Sequence, residues 1–333
     1  MKFPDPPTTL AEFSRMFPSE KECSEYLFQI RWPNGFICPQ CGSSGGYHLA
    51  SRDHIECSNP HCRYQSSLTA GTILHRTKQS IHTWFWAAYL LTNLTPSISA
   101  KQFQGQLGLK RYETAFCMLH KLRTALVAPE RDKLHGEIEV DEGYVGGKEE
   151  GCIGRGAEKK QLVVCAVELI RWNEKQTERS RTRCGRVRLQ SIPNASRSTL
   201  EGFVKLNIAR GSKVFTDGWS GYSFLEKNGF QHEVRVQKRS DEPLKYVHRI
   251  ISNFKTWLKG TYHGNMGEKH LQAYLNEYVF RFNRRFSQGK GFNRALGLAM
   301  ELSGPTYEEL YNAGEPGYWN HPVSKKKKRT KCL

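Results

Sequence analysis

Four cysteines constrain this chain more tightly than any other feature. In FICPQCGSSGGYHLASRDHIECSNPHCRYQ, Cys38 and Cys41 enclose two residues, and after fifteen more Cys57 and Cys62 form a second pair enclosing four. Each pair makes a turn that aims two thiolates at one point. The short strand-and-turn segment between the pairs brings the two points together, which gives the donor set of a tetrahedral zinc ribbon. His61 competes with Cys62 for the fourth place, since imidazole also binds zinc well. A closed four-ligand site has no position for a substrate, so this Zn2+ is expected to be structural. The four cysteines lie among Gly, Ser, Asn and Pro, a poor setting for buried thiols. Cys23, in the helix-like PSEKECSEYLFQIRW, reads as core.

The charge balance selects the partner. With 50 Lys+Arg against 32 Asp+Glu the chain carries +18, which calls for a polyanion. Nucleic acid is expected ahead of a membrane, because there is no basic amphipathic helix and no apolar run of spanning length. MKFPDPPTTLAEF lacks the apolar centre of a signal peptide, so the expectation is a soluble, cytoplasmic chain whose ten cysteines are ligands or core rather than disulfides.

The segment after the cysteines points to double-stranded DNA. SIHTWFWAAYLLT reads as a buried helix, and SISAKQFQGQLGLKRYETAFCMLHKLRTAL as two more, broken at Gly108. Leu109, Tyr112, Phe116, Leu119 and Leu122 fall at three- and four-residue steps, which leaves Lys110, Arg111, Glu113, Thr114, Cys117 and Lys121 outside. This is a helix-turn-helix pattern with Lys110, Arg111, Thr114 and Lys121 on the face offered to DNA. A plain three-helix bundle has the same periodicity.

In GEIEVDEGYVGG, Ile138 and Val140 alternate with Glu137, Glu139 and Asp141, so the three carboxylates project from one face of a strand. Side by side they repel one another, and such a cluster sits in solvent, pairs with cations or holds a metal. KKQLVVCAVELI and VRLQSI continue an antiparallel run. SRSTLEGFVKLNI follows as a helix with a Ser198/Glu201 capping box, and SKVFTDGWSGY as a strand that ends at Asp217 and enters a helix closed by Gly229. HEVRV is a fifth strand, and EPLKYVHRIISNFKTWLKG a long helix with Pro243 in its first turn.

This β-β-β-α-β-α-β-α order is that of an α/β, RNase H-like domain: a mixed five-stranded sheet with helices, here preceded by the ribbon and the helix-turn-helix. In such folds one carboxylate projects from the middle of the first strand, a second from the end of the fourth, and a third ligand from the helix after the fifth. The first two correspond to Asp141 and Asp217. Mg2+ or Mn2+ between them would drive in-line phosphoryl transfer. The expected segments are 1–75 (N-terminal helix and ribbon), 76–130 (helix-turn-helix), 131–290 (catalytic domain) and 291–333 (C-terminal extension). The last ends in the basic, DNA-seeking tail SKKKKRTKCL.

CPQCG, SAKQFQGQLGL, IEVDEGYVGG, VFTDGWSGY, VHRIISNFKTWLKGTYHG and HLQAYLNEYVFRFNRR, in this order and over nearly the whole chain, resemble the ISXO-type insertion-sequence transposases, bacterial relatives of the Merlin elements. The resemblance implies an enzyme that binds terminal inverted repeats, cuts 3′ ends and joins them to target DNA. It implies a homo-oligomer working on DNA in the bacterial nucleoid, and a third catalytic position at Asn253. His248, Lys255 and Lys259 on the same helix are candidates for holding DNA. Glu277 is the rival third carboxylate. Its helix would pack through Leu271, Tyr274, Leu275, Tyr278 and Phe282 and leave Glu277 outside, paired with Arg281. Arg281, Arg284 and Arg285 read as a phosphate-contacting patch. Two other classes fit parts of the pattern: a catalytically inactive, transposase-derived DNA-binding regulator, and a nuclease of the same fold that does not transpose.

Overall fold

The computed structural model describes residues 4–49, 54–128, 130–146, 160–173, 180–236, 243–262, 268–287 and 289–312. The basic tail lies outside them. Two compact units emerge, one from the chain up to residue 128 together with residues 286–312, the other from residues 130–285.

The first unit opens with α1 (Leu10–Met16) and α2 (Glu20–Arg31). Thr9 and Glu12 form a reciprocal capping box that starts α1. A three-stranded antiparallel sheet follows, β1 (Gly46–Leu49), β2 (His54–Cys57) and β3 (Gln65–Ser67). Trp32, Phe36 and Ile55 pack around Cys38 and Cys57, a small apolar core under the ribbon. Next come α3 (Ile81–Asn93), α4 (Ala100–Gln106) and α5 (Tyr112–Ala125). Gly108 turns the chain between α4 and α5 at φ +61°, a left-handed conformation that glycine enters without strain.

The face that α5 buries matches the expected one only in its second half, at Leu119 and Leu122. Ala115, Met118, Leu119 and Leu122 are buried, whereas Tyr112 is exposed and Leu109 and Phe116 are half-buried. The helix begins only at Tyr112, with Arg111 as an extended N-cap, so the apolar residues before the cap do not belong to its stripe.

The second unit is a five-stranded mixed sheet between helices. β4 (Glu137–Val145), β5 (Gln161–Asn173) and β6 (Ser180–Ile192) form an antiparallel meander. After α6 (Arg197–Asn207) the chain returns as β7 (Lys213–Thr216), parallel to β4, and β8 (Gln231–Val234), parallel to β7. The sheet order is β6-β5-β4-β7-β8, and α7 (Lys245–Tyr262) and α8 (Leu271–Phe282) complete the unit.

Strand alternation gives the sheet two cores. Ile138, Val140 and Val214 face α6 with Leu200 and Phe203; Val145, Val163 and Phe215 face α7 and α8 with Val247, Phe254 and Leu275. Gly143 lets α7 come close, because a Cβ there would lie 3.0 Å from Ile251. The apolar residues expected on α7, Leu244, Val247, Ile251, Phe254 and Leu258, are all buried.

Three local expectations change. Ser196, not Ser198, caps α6, and Glu201 instead binds Lys205 and Asn228. The segment after Asp217 holds two short 3-10 turns (Ser220–Tyr222 and Glu226–Asn228) rather than an α-helix, in keeping with the helix-weakening Gly218 and Gly221. Gly229 does close it, at φ +82°. Pro243 precedes α7 instead of entering its first turn.

The chain then re-enters the first unit as α9 (Lys290–Glu301) and α10 (Tyr307–Asn312). Phe292 of α9 packs its ring 5.6 Å from Phe85 and 5.8 Å from Phe17. The Tyr26 hydroxyl donates to Asn293 Oδ1 at 2.6 Å, so the N-terminal and C-terminal helices share one core. Among the described residues no helix is long and apolar enough to cross a membrane.

Candidate functional site

The cysteines converge. The four sulfurs of Cys38, Cys41, Cys57 and Cys62 all lie within 4.8 Å of one another, with Cys38 and Cys62 3.8 Å apart and Cys41 and Cys57 3.6 Å apart. Tetrahedral zinc with Zn–S bonds of ~2.3 Å separates its sulfurs by about 3.8 Å, so the donor set fits the ion. The Gln40 N–H points at Cys38 Sγ, 3.4 Å away. His61 is exposed and outside the cluster; its backbone N–H goes to Asn59 Oδ1. Cys62, not His61, completes the cluster that could hold a metal ion.

A cleft of about 600 Å³ opens in the second unit, lined by Asp141, Glu142, Asp217 and Trp219 among others. Parallel pairing sets Glu139 of β4 opposite Phe215 of β7, the last pair of that ladder; Asp141 and Asp217 lie two residues further along each chain, Asp217 just beyond the end of β7. Each aspartate is fixed through one oxygen. Asp141 Oδ1 accepts the Glu142 N–H at 2.8 Å, and Asp217 Oδ1 accepts the Trp219 N–H at 3.0 Å. Asp141 Oδ2 lies 2.9 Å from His248 Nε2 on α7.

Two further acids of β4 have their own settings. Glu139, 1% exposed, receives the N–H groups of Tyr246 and Val247 on Oε2 at 2.8 and 2.9 Å, at the N-terminus of α7. Burial raises its pKa, and these two hydrogen bonds pull the other way. Glu142 points to the opposite face, where Tyr222 Oη donates to Oε1 at 2.6 Å. Burial pushes the Glu142 pKa up to about 7; the Tyr222 hydrogen bond opposes the rise, and the charges of Asp141 and Asp217 add to it. Glu142, which was not among the expected site residues, also lines the cleft. The signal was its place beside Asp141 at the strand's outer half.

Asn253 is exposed on α7, and its side chain makes no hydrogen bond among the described residues. At ~100° per residue it lies about 140° around the helix from His248, whereas Lys255 and Lys259 lie within about 20° of His248. His248, Lys255 and Lys259 thus share one face that leads away from Asp141.

Glu277 departs from expectation. It is 0% exposed, because α8 is buried at every residue from Leu271 to Phe280 and has no outer face there. Its contact with Arg281, at 3.4 Å, is a buried pair rather than a surface one.

Arg284 lies over the Phe280 ring and donates to the Phe280 carbonyl; Arg285 donates to the carbonyls of Cys184 and Phe282. These arginines fasten the end of α8. In the first unit Lys110 and Arg111 are exposed, and Thr114 is half-buried. Lys121 is also half-buried, with its pKa lowered by that burial.

Residues 133–283 match the ISXO2-like transposase domain, and residues 18–65 match the transposase zinc-ribbon domain. Over 136 residues the chain is 31% identical to an uncharacterized protein in transposable element ISH50 of Halobacterium salinarum. That similarity covers 39% of this chain and 44% of the relative, so it spans less than half of the relative's length.

Proposed function

We propose that the chain, which carries an ISXO2-like transposase domain and a transposase zinc ribbon, binds the terminal inverted repeats of an insertion sequence, cleaves the 3′ ends and transfers them into target DNA. The observation that most supports this chemistry is that Asp141 of β4 and Asp217, just past the parallel neighbour strand β7, line one open cleft. Hard divalent cations take oxygen donors, and two half-buried carboxylates lining one cleft suit them. Asp141 and Asp217 would hold the ion, Mg2+ or Mn2+. When bound, it activates a water or a 3′-hydroxyl and stabilises the leaving oxygen of an in-line displacement.

The remaining roles belong to the chain itself. The backbone hydrogen bonds to Oδ1 of each aspartate fix the carboxylate planes, and His248 orients the second oxygen of Asp141. Lys255 and Lys259 continue the His248 face of α7 over about 16 Å of helix, a length suited to tracking a phosphate backbone. Exposed Lys110 and Arg111 stand at the start of α5, the end of a recognition helix that contacts base edges and phosphates. The ribbon, with a zinc closed by four thiolates, is a structural part of the end-binding region. On DNA the chain works as a homo-oligomer, since two element ends must be held together for joining.

Asp141→Asn and Asp217→Asn test the reading. Each should lower metal-dependent cleavage and joining by about a thousandfold or more, the ratio given by ~4 kcal/mol of lost transition-state stabilisation, and leave binding to end-containing duplex nearly intact. Joining at near wild-type rate by either variant would sink the assignment. Wild-type protein that binds ends but never nicks them with Mg2+ or Mn2+ would instead be a DNA-binding regulator.

A further inference from the structure

β5 and β6 outrun the sheet. Glu137, the first residue of β4, pairs with Leu169, and beyond that point the β5–β6 ladder continues alone through Ile170↔Arg183, Arg171↔Thr182, Trp172↔Arg181 and Asn173↔Ser180. The cleft is lined by Gln161, Leu162 and Ile192, at the other ends of the same two strands. Trp172 lies seven residues along β5 from Cys165, the partner of Asp141, or about 23 Å at ~3.3 Å per residue.

Residues directly opposite in an antiparallel ladder share a face, so this two-stranded arm groups Ile170, Trp172, Arg181 and Arg183. All four are exposed, Ile170 at 40% and Trp172 at 41%. The Arg183 guanidinium lies 5.6 Å from the centre of the Trp172 ring. At the foot of the arm Glu168 accepts from Arg186 Nη2 at 2.6 Å and from its Nε at 2.9 Å. Arg131 and Arg188 are hydrogen-bonded to neutral oxygens, those of Asn207 and of the Val187 and Asp132 carbonyls. Arg188 is 5% exposed, and its Nε has no hydrogen-bond partner among the described residues. Burial pushes its pKa down to about 9, and the charges of Arg131 and Arg186 add to the fall. Positive charge has accumulated here beyond what the neighbouring acid balances.

We propose that the β5–β6 arm is a second surface for duplex DNA, separate from the cleft, with Arg181 and Arg183 on phosphates and Trp172 packed against the groove. This rests on the DNA-binding part of the reading above and not on its metal chemistry. A major groove about 12 Å wide admits a two-stranded ribbon, and arginine matches phosphate through paired N–H groups. No acid stands on the arm's exposed face among its described side chains, whereas Glu137 and its partner Arg171 belong to the opposite face. A second copy of this chain would bring another +18 to a basic surface, so a polyanion is the fitting occupant.

The test titrates full-length, zinc-loaded protein against a labelled duplex over a range of salt. Arg181→Gln/Arg183→Gln is compared with Arg210→Gln/Lys227→Gln, which removes the same charge from exposed positions elsewhere in the second unit. The arm variant should bind about tenfold more weakly than this reference and lose about two from the slope of log Kd against log salt, one for each phosphate contact. Trp172→Ala should weaken binding and leave the slope unchanged, because an indole releases no counterion. In the wild type, amide hydrogen exchange at Ile170, Arg171 and Trp172 should slow when duplex is added, a reading that needs no variant to fold.

Equal losses in the arm variant and the reference would show a net-charge effect and overturn the inference, as would unchanged exchange in the arm on saturating DNA. If the arm variant binds duplex as the wild type does but sediments differently when free, the surface belongs to a second copy and the inference falls. If the wild type binds no duplex at all, the DNA-binding reading falls with it.

Discussion

The cysteine cluster and the acidic cleft are both clusters of ligand-type side chains, yet they are built in opposite ways. The cluster takes four donors from 25 consecutive residues, Cys38 to Cys62, on turns that aim them inward, and closes on itself. The cleft takes its acids from β4 and from the end of β7, 76 positions apart in Asp141 and Asp217, and stays open. A closed thiolate set contributes folding energy, whereas an open carboxylate set adds repulsion that the surrounding sheet must bear. Removing the first site should therefore damage the fold and spare the second unit's sheet. Removing the second should damage chemistry and spare the fold.

The largest expected effect is on the ribbon. Stripping zinc with a chelator, or making Cys57→Ser, removes a binding free energy of roughly 10 kcal/mol or more, which at such a site is folding free energy. Hydrogen exchange should show protection lost across β1, β2 and β3 and kept in β4, β5 and β7. Equal loss in both units, or none in the ribbon, would break the asymmetry.

The next effect concerns an acid that belongs to neither site. Glu277 is fully buried beside Arg281, and taking one partner from a buried ion pair leaves the other charge uncompensated. Glu277→Ala should cost about 3–5 kcal/mol in denaturant unfolding. Mn2+ binding to the folded fraction should stay unchanged. A variant that unfolds like the wild type but binds no Mn2+ would move Glu277 into the metal site and redraw the comparison.

A smaller effect is expected at Glu139, where a carboxylate near the cleft has a structural task. It caps α7 through the N–H groups of Tyr246 and Val247, and so sets the helix that brings His248 to Asp141. Glu139→Ala leaves two buried donors unsatisfied and should cost about 1–3 kcal/mol; Glu139→Gln, which keeps one carbonyl oxygen, should cost less. Thermal unfolding of both variants checks the order, and equal losses would show that charge, not the acceptor, holds the helix.

What was legible in the sequence followed the same division. Ligands set by local turns declared themselves by spacing alone, and the cysteines met where expected. The strand order was legible because alternation, Gly punctuation and helix stripes each persist over several residues, which was enough to put Asp141 in the middle of β4 and Asp217 at the end of its neighbour β7. Features that depend on one residue's phase or on tertiary cover were not. The α5 stripe was assigned across a cap that excludes Leu109, and α6 was started two residues late because Ser196 and Ser198 are equally good caps. Glu277 looked exposed because four-residue spacing to Arg281 is a surface habit, and nothing in a single helix shows that its other faces are covered. Glu142 was not singled out because it falls on the other face of β4 from Asp141, as alternation requires, and nothing in the strand pattern shows that the cleft reaches it there.

The smallest expected effect completes a series along one strand. Glu137, Glu139 and Asp141 share a face of β4, but their surroundings change within six or seven ångströms of strand on either side of Glu139. Asp141 meets His248 at the cleft, Glu139 is sealed under α7, and Glu137 is partly exposed and pairs with Arg171 across the β4–β5 ladder. An exposed pair of this kind gains little Coulomb energy in water and loses side-chain freedom, for a net of about 0.2–1 kcal/mol at most. Glu137→Gln should therefore shift the unfolding midpoint by no more than that amount, an effect that shrinks further in high salt, and should leave Mn2+ affinity unchanged. The comparison sharpens if losses in stability rank Glu139 above Glu137 while losses in metal binding fall on Asp141 alone among the three. It breaks if Glu137→Gln weakens Mn2+ binding, because the cleft's field would then extend along the whole strand instead of ending where α7 covers it.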